Sequence, residues 1–320
     1  MANWFSWYQN KLKAMIKAKL PHDIIQTIIE WAAVRSSIRA VLLTSTRAIP
    51  DAEIDALSDY DVILVTQDIH PFVDDRAWLN DFGDVLVAYW DAIQPDPRFG
   101  IEQCANVTQY AGGLKIDFTL WPVALFQQIA AAPTLPAELD AGYRVLLDQD
   151  HLADALRPPT GKAYVLTPPA FTAYQTLIND FLSDAPYVAK CLWRDELLPA
   201  KWCLDYDMKH TYLRQMLEWR VEIEHDWSVP VGYLGKGLKK RLAPDIWGAV
   251  EQAYAGGSIA ENWEALAHTL ALFRRVAREV GDHLGYLYPD DLHQRVAAYV
   301  EQIKQLEPPA APGKENSQLA

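Results

Sequence analysis

Two periodicities divide the chain. Short apolar runs and strict alternation mark the first half; in residues 114–121, Leu114, Ile116, Phe118 and Leu120 form one face and Lys115, Asp117 and Thr119 the other. Beyond about residue 170 the apolar positions recur at helical spacing instead. The pattern predicts strands over residues 38–43, 58–65, 84–90, 103–110 and 114–121, a helix over 71–80 opened by Pro71, loops over 48–57 and 94–99, and a hairpin turn at Ala111-Gly-Gly113. It predicts helices over 171–183, 187–207, 212–226, 246–254, 259–284 and 292–306, with turns at Asp184-Ala-Pro186, at 232–237 and at Gly256-Gly257. Pro199 should kink the second of these helices. Residues 1–37 read as helical, with Ile24, Ile25, Ile28, Ile29 and Trp31 as the apolar stripe. The expected class is α+β: a mixed α/β domain over residues 1–157, closed by Arg157-Pro-Pro-Thr-Gly161, then an all-helical domain over 162–306. The proline-rich polar tail, 307–320, is expected to be disordered.

Alternation also places chemistry. In the strand beginning Ser58-Asp-Tyr-Asp61, Asp59, Asp61 and Ile63 share one face and Tyr60, Val62 and Leu64 the other. The two carboxylates are about 7 Å apart along the strand, close enough to turn on one hard cation. A lone Asp-x-Asp is commonly a solvated strand end, but Asp117 adds a third acid on the polar side of another strand. Three acids on neighbouring strands repel one another unless a cation neutralises them, and magnesium is the economical choice. Ahead of them, Thr44-Ser-Thr-Arg47 forms the turn out of the first strand. Its hydroxyls and backbone N–H groups could hold phosphate oxygens, and Arg47 adds a positive fork.

Taken in order, Thr44-Ser-Thr-Arg47, Ser58-Asp-Tyr-Asp61 and Lys115-Ile-Asp-Phe-Thr-Leu120 resemble the pattern of the nucleotidyltransferase superfamily. From about residue 38 to 306 the chain is similar to the aminoglycoside 6-adenylyltransferases, the streptomycin-modifying branch. Later markers are Val145-Leu-Leu-Asp-Gln-Asp150, Tyr187-Val-Ala-Lys-Cys-Leu-Trp-Arg-Asp-Glu-Leu-Leu198, and Val231-Gly232 followed by Gly237-Leu-Lys-Lys240. The resemblance implies transfer of AMP from ATP to a hydroxyl of streptomycin, giving antibiotic resistance. In that reading Asp59, Asp61 and Asp117 hold magnesium, with Asp117 either a ligand or the base; Ser45, Thr46, Arg47 and Lys190 contact the nucleotide; and Glu196 meets a substrate cation. The family's glycine position holds Ser45, which removes freedom at positive φ. Two alternatives stay open: the same chemistry on another hydroxyl acceptor, or a non-catalytic nucleotide-binding descendant.

Composition narrows the field. Half of the 320 residues are hydrophobic, enough for two cores. The three cysteines stand far apart, against a disulfide scaffold or a zinc site, and the eight histidines form no metal-binding pair. A net charge of −13 disfavours nucleic-acid binding and suits a cationic substrate. No secretory signal and no membrane span is expected, so the protein should be cytoplasmic; a monomer is expected. Trp193, Trp202, Trp219, Trp227 and Trp263 read more readily as core than as a sugar-binding wall. The stretch Gly235-Lys-Gly-Leu-Lys-Lys-Arg241 reads as a basic surface turn entering a helix, because it lacks the spacing of a phosphate loop.

Overall fold

The two most apolar runs of the first half pair with each other. In the computed structural model, which describes residues 24–50 and 52–307, β1 (Ile38–Thr44) and β2 (Tyr60–Thr66) lie antiparallel with Thr44 opposite Asp61. The expected helical residues 1–23 and the tail 308–320 lie outside the described residues. By contact the chain divides after Ala163 into two units.

In the first unit, β2 takes β6 (Lys115–Pro122) on its other edge in parallel, in a register that sets Asp61 opposite Asp117. β5 (Glu102–Tyr110) and β3 (Val85–Trp90) extend the sheet antiparallel beyond β6, and β7 (Tyr143–Asp148) closes on β1. A two-residue strand, β4 (Gln94–Pro95), pairs with β5 inside the stretch read as a loop. Both faces of the central strands are covered, which is why β1 runs apolar from Ala40 to Leu43 instead of alternating. On one face, α1 (Ile24–Ala33) buries Ile24, Ile28 and Trp31 with Val41, Val62, Leu64 and Phe118. On the other, α3 (Val123–Ala131) and the short α4 (Ala137–Asp140) pack with Leu42, Ile63, Val65 and Trp121.

The helix expected over 71–80 is two pieces, α2 (His70–Asp74) and a 3-10 turn (Ala77–Phe82). Asp75 between them is extended, and its carboxylate accepts the Ala77 N–H at 3.0 Å, a local bond that competes with helix. The break lets Trp78 and Phe82 reach Phe118, with ring centroids 4.9 and 5.3 Å away.

The second unit is helical among its described residues, with one isolated bridge between Val165 and Pro230. Its helix boundaries correct the sequence reading in three places. α5 (Phe171–Trp193) runs straight through the turn expected at Pro186, because Leu182, Ala185, Val188 and Ala189 keep one continuous buried ridge across the missing hydrogen bond. The helix stops at Asp195, whose φ is +62°. Pro199 then sits in the first turn of α6 (Leu197–Lys201), where no donor is needed, so it opens a helix and kinks none. The break expected after residue 207 is absent. A π-helix (Trp202–Leu213) leads directly into α7 (Arg214–Glu224), with Asp205 held between Lys201 at 2.6 Å and Lys209 at 2.7 Å.

The basic stretch does enter a short helix, α8 (Leu238–Arg241), and α9 (Pro244–Gln252), α10 (Ile259–Leu284) and α11 (Asp290–Lys304) complete the unit. Phe181 of α5 stacks on Phe273 of α10 at 3.6 Å in the core. Trp219 and Trp263 are core residues, whereas Trp202 is 64% exposed and stacks on Tyr206. No helix among the described residues is long and apolar enough to cross a membrane.

A buried histidine couples this unit to pH. His293 is 5% exposed, with Nδ1 2.8 Å from the Tyr288 hydroxyl. Burial, then the Arg274 guanidinium, hold its pKa down at about 4 against the opposing pull of Asp290. The unfolded imidazole takes its proton near pH 6.5 and the folded one only near 4, so stability should be lost as pH falls through that window. The shift corresponds to at most about 3–4 kcal/mol. His293→Gln should flatten that part of the stability profile, measured by denaturant unfolding between pH 7 and 4; an unchanged slope would assign the acid sensitivity to other groups.

Candidate active site

The parallel register of β2 and β6 does the assembly. Asp61 faces Asp117 across the pair, and two residues earlier Asp59 meets Lys115 through their side chains. Val62 and Leu64 turn to the α1 side and Ile63 and Val65 to the α3 side, so alternation carries Asp59 and Asp61 to one face at the strand's start. Thr44, at the end of β1, lies on the other side of Asp61 and places its hydroxyl 3.4 Å from the Asp61 carbonyl oxygen. The three acids predicted as a group are therefore brought together.

Their charges are strained by proximity. Burial, then neighbouring Asp117, push the Asp61 pKa up, while a hydrogen bond from the Ser45 side chain pulls it down. Burial raises Asp117 as well, against the hydrogen bond from Lys115. The Lys115 ammonium donates to Asp59 Oδ2 at 2.6 Å and to Asp117 Oδ2 at 2.8 Å. Burial alone would lower the lysine's pKa, but these two bonds outweigh it and the net direction is up. Asp117 Oδ1 is buried without a hydrogen-bond partner. An all-oxygen donor set from three carboxylates, one with a buried lone oxygen, fits a hard divalent cation.

Sequence reasoning placed Lys115 on the acids' face without giving it a part. Its position two residues before Asp117 was the available signal, because period two puts both on one side.

Ser45, Thr46 and Arg47 form a single 3-10 turn directly after β1. Ser45 has φ +58°, the left-handed region that a glycine occupies without cost. Its hydroxyl offsets part of that cost through Asp61. Arg47 points into the protein's own main chain. Nη2 donates to the Ser58 carbonyl at 2.8 Å, Nε to the Asp59 carbonyl at 3.0 Å, and the guanidinium lies 3.9 Å from the Tyr60 ring centroid. It thereby ties the turn to the residues that start the acidic strand.

The two remaining expected site residues belong to the second unit. Lys190 is exposed on α5, with Nζ 5.9 Å from the centroid of the Tyr299 ring. Glu196 is exposed at the start of α6 and joins none of the described ion pairs; its neighbour Lys201 pairs with Asp205 instead. Elsewhere in that unit, Asp184, Cys203 and Asp207 bring possible ligand atoms within 4.8 Å of one another. Burial, then the Asp184 and Asp207 carboxylates, push the Cys203 thiol well above its usual range.

Comparison with known proteins covers most of the chain. The model of the streptomycin adenylyltransferase family matches residues 19–303. The aminoglycoside 6-adenylyltransferase of Bacillus subtilis (strain 168) is 26% identical over 283 residues, spanning 88% of this chain and 96% of that protein. The Campylobacter jejuni enzyme of the same name is 26% identical over 272 residues, 83% of this chain and 90% of its own. That of Staphylococcus aureus is 23% identical over 274 residues, covering 84% and 93%.

The left-handed turn can be tested by itself. Ser45→Val, whose β-branch is excluded from that backbone region, should cost about 1–2 kcal/mol in denaturant unfolding. Ser45→Gly should stay within about 1 kcal/mol of the wild type, because relief of strain is offset by the lost hydroxyl and the freer unfolded chain. Equal stability for all three side chains would contradict a strained turn.

Proposed function

The chain belongs to the streptomycin adenylyltransferase family, and from that premise we propose that it transfers AMP from ATP to a hydroxyl of an aminoglycoside, streptomycin first among them. The observation that carries this reading is the meeting of Asp59, Asp61 and Asp117 at one end of the central strands β2 and β6, beside the Ser45–Arg47 turn. Transfer of this kind asks a protein for positioning and charge neutralisation more than for covalent chemistry.

In the proposed reaction the acceptor hydroxyl attacks the α-phosphorus of ATP and pyrophosphate leaves. Asp59, Asp61 and Asp117 hold magnesium, which when bound neutralises phosphate charge and polarises the reacting oxygens. Asp117 either completes that ligand set or takes the acceptor's proton. Ser45 and Thr46 offer hydroxyls and backbone N–H groups to the phosphates. Arg47 sets its charge beside them while holding the turn against the Ser58 and Asp59 carbonyls. Lys190 and Glu196, exposed on the helical unit, are the proposed contacts for a phosphate and for a substrate cation. A net charge of −13 favours the encounter with a polycationic acceptor.

The test is pyrophosphate release with ATP, magnesium and a panel of aminoglycosides, together with the mass of the recovered drug. Release and an adenylylated drug are expected with streptomycin, and Asp61→Asn should reduce the rate by roughly two to three orders of magnitude. No pyrophosphate and no mass gain on any member of the panel would overturn the reading; turnover confined to a different aminoglycoside would overturn the choice of streptomycin.

A further inference from the structure

Lys115 occupies the place where a cation is called for. Its ammonium is shared between Asp59 Oδ2 and Asp117 Oδ2, and the three side chains are only about a quarter to two-fifths exposed, at 27%, 39% and 26% for Lys115, Asp59 and Asp117. At that depth the contact is more than a loose surface pair. It leaves the group incompletely neutralised all the same. Three carboxylates and one ammonium carry two uncompensated negative charges when all are ionised. Asp61 gains only Coulomb relief from Lys115 and no hydrogen bond, and Asp117 Oδ1 has no partner. One lysine suffices to hold Asp59 and Asp117 together and does not satisfy the trio.

We propose that Lys115 is a displaceable counter-cation. It holds the carboxylates together in the metal-free protein, and a divalent ion entering the trio has to take the two Oδ2 atoms away from the ammonium. Both cations seek the same oxygens, and their mutual repulsion at that range disfavours sharing them. Lys115 thus sets how tightly the free ion binds, acting on the reaction through the carboxylates as a positioning residue. The proposal rests on reading Asp59, Asp61 and Asp117 as the metal site.

The experiment is calorimetric titration of Mn2+ into the full chain without nucleotide, for the wild type, Lys115→Met, Lys115→Gln, Lys115→Arg and Asp117→Asn. Thermal unfolding with and without Mn2+ runs alongside. Both neutral variants should bind Mn2+ at least about tenfold more tightly than the wild type, melt lower in chelator and gain more on metal addition, because binding to the native state alone raises its stability. Lys115→Arg keeps the competing charge and should stay within about threefold of the wild type. Should Lys115→Met fail to fold, Lys115→Gln carries the same prediction with a smaller change of polarity. Neutral variants that bind no more tightly than the wild type, while Asp117→Asn abolishes binding, would overturn the role of Lys115 and leave the metal site standing. Mn2+ binding that is absent throughout, or indifferent to Asp117→Asn, would overturn both.

Discussion

Mutual repulsion among three carboxylates is the constraint on which the site depends. Register fixes it: β2 and β6 run parallel with Asp61 opposite Asp117, and a strand cannot slip by one residue without sending every side chain to the wrong face. That slip would exchange Val62 and Leu64, packed on the α1 side, with Ile63 and Val65, packed on the α3 side, and undo both cores. The apolar core therefore holds the acids where electrostatics alone would separate them. Burial raises the energy of their charged forms further, as the upward pKa directions of Asp61 and Asp117 record. A fold that keeps such a group against its own repulsion is arranged around a positive charge.

Around that point the first unit places supporting chemistry by short-range means. β1 delivers its last residue, Thr44, beside Asp61, so the turn that follows starts at the acids' edge. Arg47 then bonds back to the carbonyls of Ser58 and Asp59, fixing the turn to the strand that carries two of the acids. The left-handed backbone at Ser45 is tolerated because its neighbours on both sides are fixed, one in β1 and the other by this clamp. Strain, clamp and charge cluster lie within a few residues of one another, where a site needs them.

Much of this is legible in the sequence alone, for definite reasons. Period-two alternation has one solution for residues 58–65 and 114–121, so the faces of Asp59, Asp61 and Asp117 follow from the apolar residues between them. What alternation does not contain is the partner across the sheet, and for that reason Lys115 stood on the right face without a role. The helical unit was misread at its prolines. Pro186 lies in a ridge whose burial outweighs one lost hydrogen bond, and Pro199 lies in a first turn where none is lost. Local propensity has no access to either circumstance. β4, two residues long and containing Pro95, exists only because β5 is beside it.

The most direct measurement is anomalous diffraction from crystals of the full chain grown with Mn2+ and a non-hydrolysable ATP analogue. The account predicts a peak about 2.0–2.6 Å from carboxylate oxygens of Asp59 and Asp61, the range of hard-cation coordination, with the Lys115 ammonium moved off at least one of its two acids. Mn2+ found elsewhere, for instance at Asp184 and Asp207, with Lys115 still joining Asp59 to Asp117, would contradict it.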